Sequence, residues 1–369
     1  MTSPTVRDFQ FTTASWMPGT KGLQKGRAVM EPLTMDEFVS NRSSFRGAWM
    51  LMLPASTAKL PSAEIRSAIL AEAIKAGIKG QITGSRNELV LTGGRYNIKW
   101  EELPKDVKIT IRKSDFEAVS SATKTGKKVE LEFDLRQSFR KGPIVHNNIV
   151  AEIRGSEKPD EVVIMSGHFD SWDGPGSQGS LDNGTGSSVT LECARLLNAV
   201  GAKPKRTIRF ILWTGEEQGL FGSRAYVEAH KAEMPKISTC IVDDGGTNYW
   251  GGFVGLEAQR PFFQPSLDLL NAAFPELPMK FNAAARMPRG GGSDHASFNG
   301  VGVPGFFTME TGVSDYNYVH HTQHDKLAAA INAYLVQSST ASAVTLYNLA
   351  CADSMLPRDV APTTPPPGK

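Results

Sequence analysis

The chain is poor in cysteine, in charge of a single sign and in long apolar runs, and each scarcity removes a class of protein. Three cysteines, Cys193, Cys240 and Cys351, with no C-x-x-C pair, cannot build a disulfide framework. Cys193 and Cys240 fall in apolar helical and strand patterns, where buried thiols are common, and read as packing residues. Forty basic against 38 acidic residues leave a formal charge of +2, without the basic footprint of a nucleic-acid or membrane-surface protein. No stretch approaches the roughly 18 consecutive apolar residues of a bilayer span. The N-terminal MTSPTVRDFQFTTASWMPG lacks an apolar h-region and does not read as a signal peptide. The expectation is a cytosolic chain, or a processed or incomplete form of an exported one. There is no internal repeat.

What is present is ordinary globular material. Hydrophobic residues make up 40% and charged residues 21% of 369, which excludes global disorder and, at about 100–200 residues per domain, suggests two to three domains. The proline-rich end, PRDVAPTTPPPGK, lacks apolar periodicity and reads as a disordered tail over 356–369. A second interruption, QSFRKGPIVHNN near 138–145, divides the rest into 1–140 and 141–355.

The first segment alternates short strands and helices. KGRAVMEP, FRGAWMLMLP, QIT, DVKITIRK and KKVELEFDL read as strands, and SDFEAVSSATKTG as a capped helix. SAEIRSAILAEAIKAG places Ile65, Ile69, Ala73 and Ile74 on one helical face. This segment holds no acid–His–Cys cluster and reads as a small accessory domain. The second segment is a longer β-α-β-α series: EVVIMSG, RTIRFILW, STCIV and VPGFFTME as strands, with helices in GTGSSVTLECARLLNAV, on a Val189, Cys193, Leu197 and Val200 stripe, and in GLFGSRAYVEAHKA. Strands apolar on both faces that alternate with helices predict an α/β fold, a mostly parallel sheet with helices on both faces. Such sheets bind ligands beyond the carboxyl ends of their strands.

Those strand ends carry metal-type ligands. EVVIMSG leads to His168 and Asp170, with Asp182 following in SLDNGTG; RTIRFILW leads to Glu216-Glu217; STCIV leads to Asp243-Asp244; and HHTQHD, His320 to Asp325, follows VPGFFTME. Singly each has an ordinary reading, a loop histidine paired to a carboxylate or a solvated acidic face. Together they concentrate at one sheet edge. Carboxylates and imidazoles suit zinc, one carboxylate can bridge two ions, and a carboxylate that is not a ligand can act as general base. A ligand histidine also needs a partner for its other nitrogen, a place for an acid two residues on.

GHFDSW, SLDNGTGSSVTLECAR, TGEEQGLFGSRAY, DDGGT, GGSDHASF and HHTQHD resemble, in order, the motifs of the co-catalytic di-zinc exopeptidases. These include bacterial leucyl aminopeptidases, carboxypeptidase Q and glutamate carboxypeptidase II, with the carboxypeptidase Q-like members nearer. The resemblance covers roughly 146–350 and implies a zinc exopeptidase fold. It also implies a smaller α+β protease-associated domain, seen in ITIRKSDFEAVSSATKTGKKVELEF. Carried across motif by motif, it implies two zinc ions bridged by Asp182, one completed by His168 and Asp244, the other by Glu217 and His321. Glu216 would be the general base, and Asp170 would orient His168. His320 and His324 read as lip residues.

The implied activity is hydrolysis of terminal peptide bonds in dipeptides or short peptides, with room for a homodimer and an extracytoplasmic location. The alternative reading is a glutaminyl cyclase-like single-zinc acyltransferase; a third is a non-enzymatic relative that has lost ligands. Three departures stand out. Lys326 follows Asp325 where the family has threonine. Arg289-Gly290-Gly291-Gly292 precedes S-D-H where some aminopeptidases place an oxyanion-stabilising tyrosine, so that donor is expected from zinc, a backbone amide or another side chain. The leading helix of the peptidase domain is missing, so a truncated N-terminus is expected.

Overall fold

A computed structural model describes residues 1–94, 98–172, 174 and 176–359. The chain divides into two units, one of Met1–Ile144 with Trp172–Ser177 and His321–Gln323, the other of Val145–Ser171, Gln178–His320 and the chain from His324 onward.

The first unit contains β1 (Phe11–Thr12), β2 (Gln24–Met30), α1 (Met35–Ser40), β3 (Trp49–Leu51), α2 (Ala63–Ala76), β4 (Gly80–Gly84), β5 (Lys108–Ile111), α3 (Lys113–Lys124) and β6 (Glu130–Phe133). Its strand order is β1-β5-β4-β3-β2-β6. The four central strands are parallel and both edges antiparallel. This corrects the α+β expectation: helices α1 and α2 make crossovers between parallel strands, so helices and strands alternate rather than segregate. Adjacent residues of β3 face opposite sides. Trp49 and Leu51 join Ile82, Ile109 and Phe133 on one side, whereas Met50 joins Phe38, Phe45 and Ile69 on the other. On α2, Ile69 and Ala73 are buried as expected, but Ile65 in the first turn is 45% exposed. No side chain of its own caps α3; the Ser114 N–H and hydroxyl instead donate to Glu88, at 3.1 and 2.8 Å.

The second unit contains β7 (Ile149–Ile153), β8 (Lys158–His168), α4 (Thr185–Ala199), β9 (Arg206–Trp213), α5 (Phe221–Ala229), β10 (Ile237–Val242), β11 (Tyr249–Leu256), α6 (Arg260–Ala273), β12 (Lys280–Ala284), α7 (His295–Asn299), β13 (Gly305–Phe307), β14 (Met309–Thr311), α8 (Tyr316–Val319) and α9 (Asn332–Cys351). Five strands run β13-β10-β8-β9-β7, parallel except for β7 at one edge. Val163, Met165, Ile208 and Phe210 pack with Val189, Cys193 and Leu197 of α4 and Leu346 of α9; Val162, Ile164, Ile211 and Trp213 pack with Tyr226 of α5 and Phe298 of α7. Helices therefore cover both faces. Val200, expected on the α4 stripe, is 77% exposed because the helix ends before it. A separate three-stranded sheet, β12-β11-β14, completes the unit. The expected strand VPGFFTME is interrupted at Thr308, so β13 enters one sheet and β14 the other.

The expected tail is packed where it begins: Leu356 is buried, and Arg358 donates to the carbonyls of Met234 and Ile237 at 2.8 Å. Its remainder, 360–369, lies outside the described residues. Among the described residues no helix is long and apolar enough to cross a membrane.

Candidate metal centre

The register of the five-stranded sheet explains why its chemistry converges. His168 at the end of β8 lies opposite Trp213 at the end of β9, and Ser166 lies opposite Val242 at the end of β10. The residues that leave these three strands therefore emerge together.

His168 is 1% exposed. Its Nδ1 lies 2.9 Å from the Asp170 main-chain oxygen. A carbonyl only accepts, so Nδ1 donates to it, and Nε2 lies 3.0 Å from Asp244 Oδ1 and 3.3 Å from Asp182 Oδ1, where it donates to carboxylate and would turn its lone pair to an ion held there. The Asp170 carboxylate stands beside the same ring, Oδ1 lying 3.7 Å from Nδ1, and accepts the N–H groups of Glu216 at 3.1 Å and Glu217 at 3.3 Å, fixing the turn after β9.

Asp182 lies in the loop that enters α4. Asp325 holds this loop, its carboxylate accepting the Leu181 N–H at 2.6 Å and its carbonyl the Gln178 N–H at 2.7 Å. Asn183 completes the anchorage by donating to the Asp243 carbonyl at 2.8 Å and accepting the Gly186 N–H at 3.0 Å. A Cβ at Gly186 would lie 2.1 Å from that same carbonyl, so only glycine lets α4 approach the end of β10.

The two acidic doublets each divide their side chains. Asp244 turns to His168, whereas Asp243 Oδ2 accepts the Trp250 indole N–H at 2.8 Å. Glu216 is buried, with Oε2 4.0 Å from His168 Nε2; Glu217 is held beside it through its own N–H. His320 Nε2 is 3.7 Å from Asp182 Oδ2, and the His324 ring stacks on Tyr318 at 4.2 Å. His321 groups with the first unit, where its carbonyl accepts the Thr92 N–H and hydroxyl and its ring meets Trp172 edge-on at 6.3 Å. Its backbone is left-handed, with φ 57°, a conformation uncommon outside glycine.

Three residues near these strand ends were not singled out by sequence reasoning. Asp294 is fully buried and sits inside GGSDHASF, a motif noted only as a whole. Glu310, just past the interruption in VPGFFTME, accepts the Thr308 hydroxyl at 2.6 Å. Tyr316 opens α8.

The electrostatics are those of an acidic cluster with too few cations. Burial opposes a charged His168, but Asp244, Asp182 and Glu216 outweigh it and raise the imidazole pKa well above its ordinary value. Burial pushes Glu216 up to about 9, with Asp244, Asp294 and Glu217 adding to the rise against the pull of His168. Burial also lifts Asp243 and Asp294 to about 7 each. Donor atoms of His168, Asp182 and Asp244 all lie within 4.8 Å of one another. Ligands bonded at about 2.0–2.2 Å in a tetrahedron are spaced roughly 3.5 Å apart, so the set fits one small divalent cation. Such a cation would supply the charge the cluster lacks.

Comparison with known proteins decides the family. Residues 148–346 match the model for Peptidase family M28. The chain belongs to peptidase family M28. Carboxypeptidase Q of Mus musculus is 30% identical over 335 residues, covering 89% of this chain and 68% of that protein. The Xenopus laevis carboxypeptidase Q is 31% identical over 296 residues, covering 78% of this chain and 60% of that protein. Among solved structures, a peptidase M28 precursor from Shewanella amazonensis SB2B superposes with TM-score 0.65 at 24% identity, covering 98% of this chain and 81% of that one. BSAP, a zinc aminopeptidase from Bacillus subtilis, gives 0.56 at 20% identity, covering 94% and 80%. These two likenesses establish the fold. As an M28 member the chain is a metallopeptidase, a hydrolase.

Proposed function

We propose that the chain is a zinc exopeptidase that removes terminal residues from dipeptides or short peptides, with Glu216 as general base. The observation that carries the reading is the division at the strand ends. His168, Asp182 and Asp244 form a compact donor triad, and Glu216, on a rigid turn, stands 4.0 Å from the ligand imidazole. By the motifs, a second ion would be held by Glu217 and His321, with Asp182 as a ligand common to both. The first unit is the accessory, protease-associated part of this reading, and an extracytoplasmic location and a homodimer accompany it.

When bound, zinc polarises the scissile carbonyl and acidifies the attacking water. The chain does the rest. The Asp170 carbonyl keeps the His168 lone pair aimed at the ligand position, and the Asp170 carboxylate holds the Glu216 main chain so that its carboxylate faces the same point. Glu216 takes the proton from water and hands it to the leaving amine. Its pKa of about 9 reflects burial and surrounding carboxylates. Among these carboxylates Glu216 would be drawn toward a base that works near neutrality once a dication reversed the field.

The test is metal analysis combined with a panel of free dipeptides, N-blocked and C-blocked peptides. Expected are bound zinc, cleavage of unblocked substrates, loss on chelation and recovery with zinc. Cyclisation of an N-terminal glutaminyl peptide with release of ammonia, and no hydrolysis, would replace this reading with the cyclase.

A further inference from the structure

Peptide hydrolysis places negative charge on the former carbonyl oxygen, and enzymes meet it with a fixed donor. The segment before S-D-H, Arg289 to Gly292, holds no tyrosine. Ser293, which follows it, is fully buried and presents no surface to a substrate. Tyr318 is 48% exposed and stacked on His324. A different tyrosine stands at the cluster.

The Tyr316 ring is clamped from two sides. Gly246, two residues after Asp244, has φ +85°, and a Cβ there would lie 2.8 Å from Tyr316 Cδ2 and 3.2 Å from Cε2, so the ring rests directly on the turn that follows β10. Against it packs the His320 ring, with centroids 4.9 Å apart, and His320 Nε2 lies 3.7 Å from Asp182 Oδ2. The main chain reinforces this placement. Asp315 caps α8 by accepting the Asn317 N–H at 3.0 Å, and the His320 N–H donates to the Tyr316 carbonyl at 2.8 Å. The ring thus spans from the Asp244 turn to the neighbour of Asp182.

We propose that the Tyr316 hydroxyl is the side-chain donor to the substrate oxygen that becomes negative during hydrolysis. This rests on the exopeptidase reading and assigns the one role that the motifs leave without a residue. The environment suits a donor. A phenol titrates at about 10, so near neutral pH the hydroxyl carries the proton it would share with the substrate oxygen. A phenol among carboxylates has its proton ready for a new anion and no charge of its own to repel it.

The experiment compares the full chain with Tyr316→Phe after zinc loading, using three readouts: metal per chain, steady-state kinetics on a dipeptide, and calorimetric binding of a phosphinic dipeptide whose tetrahedral P–O⁻ mimics the charged oxygen. The expected result is unchanged metal, an unchanged KM, kcat lower by about 10²–10³-fold, and phosphinate affinity reduced in parallel while amino-acid product binds as before. Unchanged kcat and phosphinate affinity would overturn the proposal. So would lost zinc, which would make the ring a structural support. Binding separates this inference from the reading beneath it. A chain that hydrolyses no peptide yet binds the phosphinate in a Tyr316-dependent way defeats the exopeptidase reading and keeps the donor. A chain that neither hydrolyses nor binds defeats both.

Discussion

Each unit builds a sheet with a parallel centre and an antiparallel edge, and each buries carboxylates, but the two units treat those carboxylates in opposite ways. In the first unit Glu31 receives Arg66 bidentately at 2.7 and 2.6 Å and the Leu53 N–H at 2.7 Å. Asp115 receives Arg7 at 2.7 Å and Arg112 at 3.1 Å. Charge is balanced residue by residue, as buried ion pairs require. In the second unit Asp182, Glu216, Asp243, Asp244 and Asp294 are buried around His168, with the half-exposed His320 at 3.7 Å from Asp182 and no lysine or arginine paired to them among the described residues. That imbalance is costly for a fold alone and marks a place where something from outside is meant to bind. Buried charge is therefore a poor guide to function by itself; its deficit is the better one.

The sharpest way to break this comparison is Glu216→Gln. If Glu216 is in the cluster for chemistry rather than for holding the ion, turnover should fall by about 10²–10⁴-fold with zinc per chain unchanged. Loss of zinc alongside activity would move Glu216 into the ligand set.

Next in size is Glu31→Gln, which leaves Arg66 without its counter-charge. Because the Arg66 side chain stays 24% exposed, losing the acid is expected to cost about 1–3 kcal/mol, readable as a lower denaturation midpoint in urea, and the metal content of folded chain should stay the same. A loss under about 1 kcal/mol would mean that the balanced pairs of the first unit do not hold it together as argued.

The smallest effect concerns pH. His295 is buried, its Nδ1 has no hydrogen-bond partner among the described residues, and burial holds its pKa down to about 4. Its ordinary value is about 6.5, so between the two the unfolded chain binds a proton that the folded chain refuses, and stability falls as pH drops through that window. Two and a half units correspond to at most about 3 kcal/mol. His295→Gln should remove this loss. The difference in stability between variant and parent should swing toward the variant from pH 7 to pH 4, and a flat difference would mean that the imidazole protonates freely in the folded chain.

How much of this was legible depended on how each feature is encoded. β8, β9 and β10 carry unbroken apolar runs, VVIM, FILW and CIV, that cover both faces, and so declare themselves as buried parallel strands. The strand β11 carries Gly251, Gly252 and Gly255, which dilute its pattern. The helix α9 buries Gln337, Ser338, Ser339, Ser342 and Thr345 alongside its alanines and leucines, so its inner face does not contrast with its outer one. The site divides in the same way. His168, Glu216, Glu217 and Asp244 could be found because they leave recognisable strands. Tyr316 and Glu310 reach the cluster through turns whose course no periodicity predicts. Asp170 was legible as a neighbour of His168, where its carboxylate lies 3.7 Å from Nδ1, but its carbonyl contact to the ring and its hold on the glutamate turn were not.

That last detail bears on how the site could drift over generations. A peptide oxygen is present whichever amino acid is encoded, so the 2.9 Å hydrogen bond to His168 is inherited with the path of the chain, and a substitution at position 170 removes only the longer carboxylate contact at 3.7 Å. The glutamate doublet has no such insurance, because its turn is fastened by the Asp170 carboxylate, a group that a single codon change can remove. Within one residue, then, ligand geometry is written into the fold and base geometry into the gene, and a lineage that abandoned catalysis would be free to lose the second long before the first.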